Sequence, residues 1–232
     1  MEILDSIPVN LTPEKIYKRL RMRKENETIS SSVAELLEIV HPIVKPKAVY
    51  EVSYVDNKTD DSLDINGIKF NSRVLRINMD EVNRVFPYVV TCGREIDEIT
   101  IADNDTMKTF LLDTIKEVTV YLANRYLREY LTDKYALGQI STMAPGSLED
   151  WPITQQKELF SIFGNVEELI GVKLTNSFLM TPIKSTSGII FPTEVRFESC
   201  QLCPREKCIG RRAPYDPGKI KQYEEKVLDN AS

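Results

Sequence analysis

Three of the four cysteines of this chain lie within nine residues of one another, as Cys200, Cys203 and Cys208 in the pattern C-x2-C-x4-C. In a reducing compartment, cysteines clustered at this spacing indicate a metal site rather than disulfides. Thiolates are soft ligands suited to zinc or iron–sulfur, and the two-residue spacing lets two sulfurs reach one ion. Cys92 could supply a fourth ligand or be a small core residue, and the trio could also be three free thiols.

Histidine-dependent catalysis is restricted because His41 is the only histidine. It stands before Pro42 at a predicted helix end, where a cationic side chain favours the helix dipole. A two-histidine mechanism is therefore excluded, and a Ser-His-Asp triad is disfavoured. No pair of residues in the sequence forms a self-sufficient acid–base or nucleophilic site, so we expect no turnover by this chain alone.

The charge and hydropathy of the chain limit its partners. A net charge of -5 and a pI of about 5.2 argue against a nucleic-acid-binding surface, which usually carries a basic excess. The sequence has no run of eighteen apolar residues and no signal-peptide pattern at its N-terminus. We therefore expect a cytoplasmic protein that binds neither nucleic acid nor membrane.

Residues 1–45 carry helix signals and no strand signal. Thr12-Pro13 pairs a capping hydroxyl with proline at the first helical position, so a helix is predicted from there. A second helix is predicted from Ser32 to Val40, ended by Pro42. The sequence thus predicts a helical N-terminal lead-in over residues 1–45.

Strand signals dominate the next part of the chain. Residues 48–55 are rich in valine and tyrosine and predict a strand, and Asn66-Gly67 predicts a hairpin turn. Residues 74–77 predict a further strand, and residues 88–91 a buried strand that ends at Cys92-Gly93.

The remainder alternates between helix and strand signals. Residues 105–131 form the longest helical pattern, with an apolar stripe at Leu111, Ile115, Val118 and Leu122. Another helix is predicted over 153–163, and strands over 172–180 and 188–191. A last, polar helix is predicted after Asp216-Pro217.

Helices and strands are thus mixed without strict βαβα alternation. This order predicts an α+β fold with a mainly antiparallel twisted sheet and flanking helices. The predicted core covers residues 46–198, and residues 199–232 hold the cysteine cluster and the C-terminal helix.

Two motifs carry a resemblance to a known family. Residues 171–182, followed by Ser185-Thr186-Ser187-Gly188, fit the pattern G-x-K-L-T-x-S-x-x-M-x-P…S-x-S-G. Upstream lie Ala144-Pro145-Gly146, Trp151-Pro152 and Gln155-Gln156, and Glu117 lies on the long helix. Over roughly residues 85–198 the chain resembles the activation domain family of vitamin B12-dependent methionine synthase.

The resemblance implies a fold and a function. Such domains bind S-adenosylmethionine beside a cobalamin-binding module, whose inactive cob(II)alamin is reduced by one electron and then methylated. The domain acts by positioning the methyl donor, and the cobalamin is supplied by the partner. The cofactor-binding residues implied for this chain are Glu117, Thr142, Ala144, Pro145, Gly146 and Ser147.

Two of these positions depart from the family pattern. Thr142 stands where the family has an arginine, and Ser147 where it has a tyrosine. An arginine would bind the methionine carboxylate of the ligand in a bidentate manner, which threonine cannot do. Arg125 or Arg128 of the long helix could replace the missing cation. Retention and loss of S-adenosylmethionine binding therefore both remain open.

The partner implied by the resemblance also bears on the metal. A [4Fe–4S] cluster would suit a partner that needs one low-potential electron, whereas zinc would be structural. Nearby basic residues would offset the thiolate charge or face an acidic partner.

Three hypotheses follow: an accessory activator of a corrinoid protein or of a methionine synthase lacking its own activation domain, a corrinoid-binding module without S-adenosylmethionine, and an iron–sulfur electron-transfer protein.

Overall fold

The computed structural model describes residues 1–232 except residues 23, 25, 103, 104, 209, 221, 222 and 224–232. Among the described residues, no helix is both long enough and apolar enough to cross a membrane. In chain order the elements are β1 (Glu2–Leu4), α1 (Pro13–Leu20), α2 (Glu27–Val40), β2 (Lys47–Tyr50), β3 (Ser53–Lys58), β4 (Ser62–Ile65), β5 (Ile68–Asn71), α3 (Arg73–Asn78), β6 (Arg84–Thr91), α4 (Arg94–Asp97), α5 (Thr106–Lys134), β7 (Ile140–Met143), α6 (Gln156–Ser161), α7 (Val166–Ile170), β8 (Lys173–Leu174), β9 (Met180–Thr181) and β10 (Ser185–Pro192).

Strand β6 is the centre of an eight-stranded sheet, and every pairing in that sheet is antiparallel. Strands β2 and β3 lie end to end along one edge of β6, and β10 pairs with the other edge. Strand β1 extends the sheet beyond β2, β7 extends it beyond β10, and β4 and β5 continue it from β3. The predicted α+β class with a mainly antiparallel sheet is confirmed.

The central strand β6 is buried on both faces, so it carries apolar residues at successive positions. On β6, Phe86, Tyr88 and Val90 point into the core beneath α1, α2 and α5. Val89, between them, points to the opposite face, where α6 and α7 pack. The sheet therefore lies between one long helix with its two N-terminal neighbours and a layer of short helices.

Several sequence predictions are confirmed at the level of elements. The helix after Thr12, the hairpin at Asn66-Gly67 and the long helix are all present. The predicted apolar stripe of the long helix is buried in the core. Helix α2 begins at Glu27, five residues before the prediction, because the side chain of Asn26 caps it by accepting from the Ile29 amide at 3.1 Å.

Other predictions are wrong in detail. Residues 74–77 form part of helix α3, because Ser72 caps it by accepting from the Leu75 amide at 3.0 Å. Residues 48–55 form two strands rather than one, and residues 172–180 contain only the two-residue strand β8 and the start of β9. Strand β1 was not predicted at all. The predicted last helix is described at residues 217–220 and 223, and its remainder lies outside the described residues.

Candidate functional site

A cavity of about 790 Å³ lies between helix α5, the start of strand β10 and the end of strand β7. The segment after β10 closes it with Arg196, Glu198, Ser199 and Arg212. Four of the six predicted cofactor-binding residues line this cavity. They come from three separate segments of the chain: Glu117 from α5, Thr142 from β7, and Ala144 and Ser147 from the turn that follows. Ser185, Thr186 and Ser187 of the S-x-S-G motif line the same cavity, so the fold brings the two best-defined motifs of the sequence to one place.

The other two predicted residues, Pro145 and Gly146, form the turn itself. The Ser147 amide donates to the Ala144 carbonyl at 3.2 Å, and Gly146 has a φ of 80°. Proline followed by a residue of positive φ is typical of a type II turn. A Cβ on Gly146 would also lie 2.8 Å from Cδ1 of Ile153. These two residues shape the cavity wall rather than face it.

Arg128 supplies a cation beside Thr142. Its Nη1 donates to Oγ1 of Thr142 at 2.5 Å, so a guanidinium reaches the cavity from helix α5. Burial lowers the pKa of Arg128, although an arginine remains charged in proteins. Arg125, the other cation that the sequence suggested, also lines the cavity, but it forms an ion pair with Glu129 at 3.3 Å, and both side chains are largely exposed.

Glu117 lines the cavity but is already engaged. Its carboxylate accepts a hydrogen bond from Nη2 of Arg19 on helix α1, and the two form an ion pair. Nothing in the sequence near either residue suggested this pairing, because the two are 98 positions apart. A ligand that used Glu117 would have to share it with Arg19.

Sequence reasoning missed a polar cluster at the back of the cavity. Nδ2 of Asn124 donates to Oγ1 of Thr186 at 2.9 Å and lies 3.4 Å from the Tyr88 hydroxyl. Burial raises the pKa of Tyr88, so its hydroxyl stays protonated near neutral pH. Thr186 belongs to the S-x-S-G motif, but Asn124 gave no signal because a polar residue on a helix is usually solvated.

The residues that follow strand β10 form the remaining wall. Glu198 accepts from Nη2 of Arg196 at 2.8 Å and pairs with Nε of Arg212 at 3.2 Å. The hydroxyls of Ser147 and Ser199 lie 3.4 Å apart and join this wall to the Pro145-Gly146 turn. The C-terminal segment thus completes the cavity, which the resemblance had not implied.

The cysteine cluster begins directly beside this wall. The Arg212 amide donates to Sγ of Cys200 at 3.4 Å, while the Arg212 side chain lines the cavity. The guanidinium of Arg211 donates to the carbonyls of Cys200 at 3.0 Å, Cys203 at 3.2 Å and Arg205. Although burial opposes the shift, amide hydrogen bonds from Arg212 and Ala213 lower the pKa of Cys200.

The metal prediction gains no support from this geometry. Within the described residues, no group of three or more histidine, cysteine, aspartate or glutamate side chains could hold a metal ion. Cys200, Cys203 and Cys208 are free thiols, and their assignment as ligands stays a prediction.

Cys92 lies buried in the apolar core beneath α2 and α5. Burial raises the pKa of its thiol to about 12, and the thiol donates to the carbonyl of Gly93 at 3.6 Å. Packing alone accounts for a neutral thiol in such surroundings. A role for Cys92 as a fourth ligand stays a prediction that no contact to the other cysteines favours.

Three further motif residues are structural. Trp151 is fully buried and packs edge-to-face on Phe70, with ring centroids 6.1 Å apart. Gln155 extends β5 with its side chain, donating to the Asn71 carbonyl at 2.7 Å and accepting from the Asn71 amide at 2.8 Å. Gln156 donates to the hydroxyl of Ser187 at 2.5 Å. These residues tie the segment after the turn to the sheet.

A second cavity, of about 970 Å³, lies at the opposite end of strand β10. Its polar lining is mainly acidic and amide in character, with Asp80, Glu81, Asn83 and Glu194 among its residues. None of the predicted cofactor-binding residues lines it, so the smaller cavity is the candidate site despite its lower volume.

Comparison with known proteins places the fold. No protein-family model matches the chain, and no curated protein matches it. Among solved structures, the chain has the fold of a reactivation domain. The match is to the crystal structure of the MetH reactivation domain bound to AdoHcy, with a TM-score of 0.53 and 16% sequence identity, covering 82% of this chain and 73% of that chain. At this identity the likeness shows the fold.

Proposed function

We propose that this protein is an accessory of cobalamin-dependent methyl transfer that docks on a corrinoid protein and supports its reductive reactivation. The observation that carries the proposal is the convergence of Thr142, Ala144, Ser147 and Thr186, from two separate motifs, on one cavity. The solved reactivation domain of the same fold is bound to AdoHcy, which supports a related ligand in this cavity.

The chemistry of such a site would be positioning. The protein would hold a methyl donor with its reacting group toward the cavity mouth, where the cobalamin of the partner would sit. Arg128 would bind the carboxylate of the donor in place of the family arginine. The side-chain amide of Asn124 and the hydroxyl of Thr186 would orient the remaining polar groups of the methyl donor.

The rim of the cavity suits a protein partner. Tyr121 and Ile183 both line the cavity while leaving 66% and 80% of their surface exposed. Large apolar side chains at a cavity mouth are typical of interfaces, where aromatic and aliphatic anchors contribute most of the binding free energy. We therefore place the corrinoid-binding surface around these two residues.

Substitution of the rim tests the docking. Ile183→Asp should weaken binding to a corrinoid protein by at least about tenfold, because it places a charge in the apolar interface. Val195→Asp is the matched control, since Val195 is equally exposed but lines the second cavity. Binding would be measured by interferometry with a methionine synthase that lacks its own activation domain. Equal affinity of both variants would contradict the proposal.

Reactivation itself requires a second measurement. The corrinoid protein in its cob(II)alamin state, a one-electron reductant and S-adenosylmethionine would be mixed with and without this protein. Recovery of the methylcobalamin absorbance only in its presence is expected. If the protein binds the corrinoid partner without supporting recovery, the activator role is wrong.

A second candidate function is a corrinoid-binding module that does not use S-adenosylmethionine. The engagement of Glu117 by Arg19 and the serine at position 147 favour it, because both remove groups that would contact the methyl donor. Calorimetric titration separates the two candidates. Micromolar binding of S-adenosylmethionine would favour the activator, and its absence would favour the module.

The cysteine cluster supports a separate proposal, that Cys200, Cys203 and Cys208 bind iron–sulfur or zinc. The amide donors on the sulfur of Cys200, which lower the pKa of its thiol against the effect of burial, favour a thiolate ligand. An anaerobic visible spectrum with iron, sulfide and zinc analysis tests it. A colourless protein that holds only zinc would exclude electron transfer by a cluster, and a metal-free protein would exclude both.

A further inference from the structure

Three guanidinium groups converge on one side of the candidate cavity. Arg128 enters from helix α5, and Arg196 and Arg212 enter from the segment after strand β10. The carboxylate of Glu198 forms ion pairs with Arg196 at 2.8 Å and with Arg212 at 3.2 Å. Arg128 has no ion-pair partner among the described residues, and its recorded side-chain hydrogen bond goes to the neutral hydroxyl of Thr142. We refer to Arg128, Arg196 and Arg212 as the arginine wall.

The other cations that line the cavity do not share this excess. Lys184 pairs with Asp113 at 2.9 Å, and Arg125 pairs with Glu129 at 3.3 Å. Both of these pairs are neutral overall, whereas the arginine wall carries three positive charges against one negative charge. The excess is therefore local to one side of the cavity.

This arrangement is unfavourable for Arg128 without a ligand, because Arg128 is partly buried, whereas Arg196 and Arg212 are exposed to solvent. Burial, together with the charges of Arg196 and Arg212, lowers the pKa of Arg128, which means that its charged form is destabilised where it stands. A guanidinium remains charged in a protein, so the cost persists unless a negative group offsets it. An oxyanion placed between the three side chains would do so.

The arginine wall also has the donors that an oxyanion requires. A guanidinium has five N–H donors in a rigid fork, and Arg128 uses one of them on Thr142. The hydroxyl of Tyr88 lies on the same cavity and adds a neutral donor, whereas the amide of Asn124 already donates to Thr186 and Tyr88. Planar forks of this kind bind carboxylate and phosphate in a bidentate manner.

We propose that this cavity binds a phosphate group, held by Arg128, Arg196 and Arg212 and completed by the hydroxyl of Tyr88. A single carboxylate would neutralise only one of the two surplus charges, whereas a phosphate monoester carries about two negative charges at neutral pH. The inference goes beyond the proposed function, because it adds a second class of ligand to the same cavity, one that would compete with the carboxylate of a methyl donor for Arg128. It names a ligand class with more negative charge than a zwitterionic amino acid, and it needs no corrinoid partner.

The test is calorimetric titration of the isolated protein with inorganic phosphate, pyrophosphate and ADP. Arg128→Gln should weaken binding of the tightest of these by at least about tenfold, because it removes the one guanidinium without a carboxylate partner. Arg212→Gln should also weaken binding, and its exposed side chain makes misfolding an inadequate explanation for the loss. Arg73→Gln, an exposed arginine on α3 outside the cavity, is the matched control and should retain the wild-type affinity.

The competing outcomes are distinct. Tighter binding of ADP than of pyrophosphate would identify a nucleotide as the source of the phosphate, and the reverse order would identify a free oxyanion. Equal loss in the Arg73 control, or no measurable binding of any of the three probes at millimolar concentration, would overturn the proposal. Binding of succinate that matches or exceeds phosphate would overturn the choice of phosphate over dicarboxylate. Because no corrinoid protein is present, failure here leaves the docking experiment unaffected.

Discussion

At the scale of single residues, the candidate site depends on where its cations are attached. Arg128 sits on a helix that is packed along much of its length against the sheet, so its guanidinium is positioned by a rigid element rather than by a loop. The side chain of Thr142 is small enough not to displace the guanidinium of Arg128, and its hydroxyl oxygen accepts a hydrogen bond from it. A guanidinium from α5 therefore lies beside Thr142 of β7 in the cavity.

At Gly188, near the site, a side chain would collide with the backbone of a neighbouring strand. A Cβ there would lie 2.5 Å from the carbonyl oxygen of Met143, on the neighbouring strand β7. Strands β10 and β7 would have to separate, and Ala144, which faces the cavity, would move with them.

We therefore expect Gly188→Ala to lower the free energy of unfolding by about 1–3 kcal/mol, as overpacking usually does. Chemical denaturation would measure the change. Gly138→Ala is the control, because a Cβ at Gly138 has nothing within 4 Å and should change stability little. Equal stabilities of the two variants would show that the strands accommodate the methyl group.

At the scale of elements, one side chain organises the described residues 200–208 and 210–213. Arg211 donates to the carbonyls of Cys200, Cys203, Arg205 and Ala213, and so closes the cysteine segment into a loop. Hydrogen bonds to a charged donor contribute about 1.5–3 kcal/mol, which is large for a segment with few buried apolar residues. The loop and the arginine wall are joined because Arg212 belongs to both.

The loop makes a pH-dependent prediction for the metal-free protein. The pKa of Cys200 is lowered in the folded state, so its alkylation by iodoacetamide should reach half its maximal rate below the ordinary thiol pKa. The same hydrogen bonds stabilise the fold above the unfolded thiol pKa, and this stabilisation is lost as the pH falls through the folded pKa.

Arg211→Ala should move the alkylation profile of Cys200 upward, because the loop that holds the amide donors on its sulfur is released. Peptide mass spectrometry would follow each thiol separately. Cys92 is the internal control and should stay unmodified until the protein unfolds, since it is buried and its pKa is raised to about 12. An unchanged pH profile of alkylation in the variant would show that the hydrogen bonds of Arg211 do not control the reactivity of Cys200.

At the scale of the whole molecule, the N-terminal helices and the sheet share one core. Ile16 of α1 and Val33 and Leu36 of α2 are buried in the same apolar cluster as Phe86 and the long helix. Strand β1, which precedes them, is paired with β2 at the edge of the sheet. The predicted division of the chain at residues 45 and 198 stays a prediction, but the packing joins residues 1–45 to the rest.

Leu36→Ala should therefore destabilise the entire molecule, by about 2–5 kcal/mol, because it opens a cavity beneath α5. Hydrogen exchange should show α5 and the sheet losing protection together with α2. Ile39→Ala on the same helix is the matched control, since Ile39 is exposed and its truncation should cost less than about 0.5 kcal/mol. Loss of protection confined to α1 and α2 would instead define them as a separate unit.

The predictable part of the fold rested on local signals. The apolar stripe of α5 and the Asn66-Gly67 turn were read correctly, because each depends on neighbours a few positions away. Helix α3 was misread as a strand because four apolar-rich residues suit either state, and the cap at Ser72 decides between them. Strand β1 was missed because three residues form a strand only when β2 lies beside them.

The sequence by itself determined the α+β class, the two motifs and the identity of six residues in and around one site, since these follow from composition and order along the chain. Only the tertiary structure decided which side chains pair in the cavity. Arg128 donates to Thr142, Arg19 forms an ion pair with Glu117, and Arg196 and Arg212 share the carboxylate of Glu198. Arg128 is 14 positions from Thr142, and Arg19 is 98 positions from Glu117. Such side chains meet only after the helices pack on the sheet. Pairwise electrostatics acts through space, so the charge balance of a cavity is a property of the packed molecule rather than of any segment of its sequence.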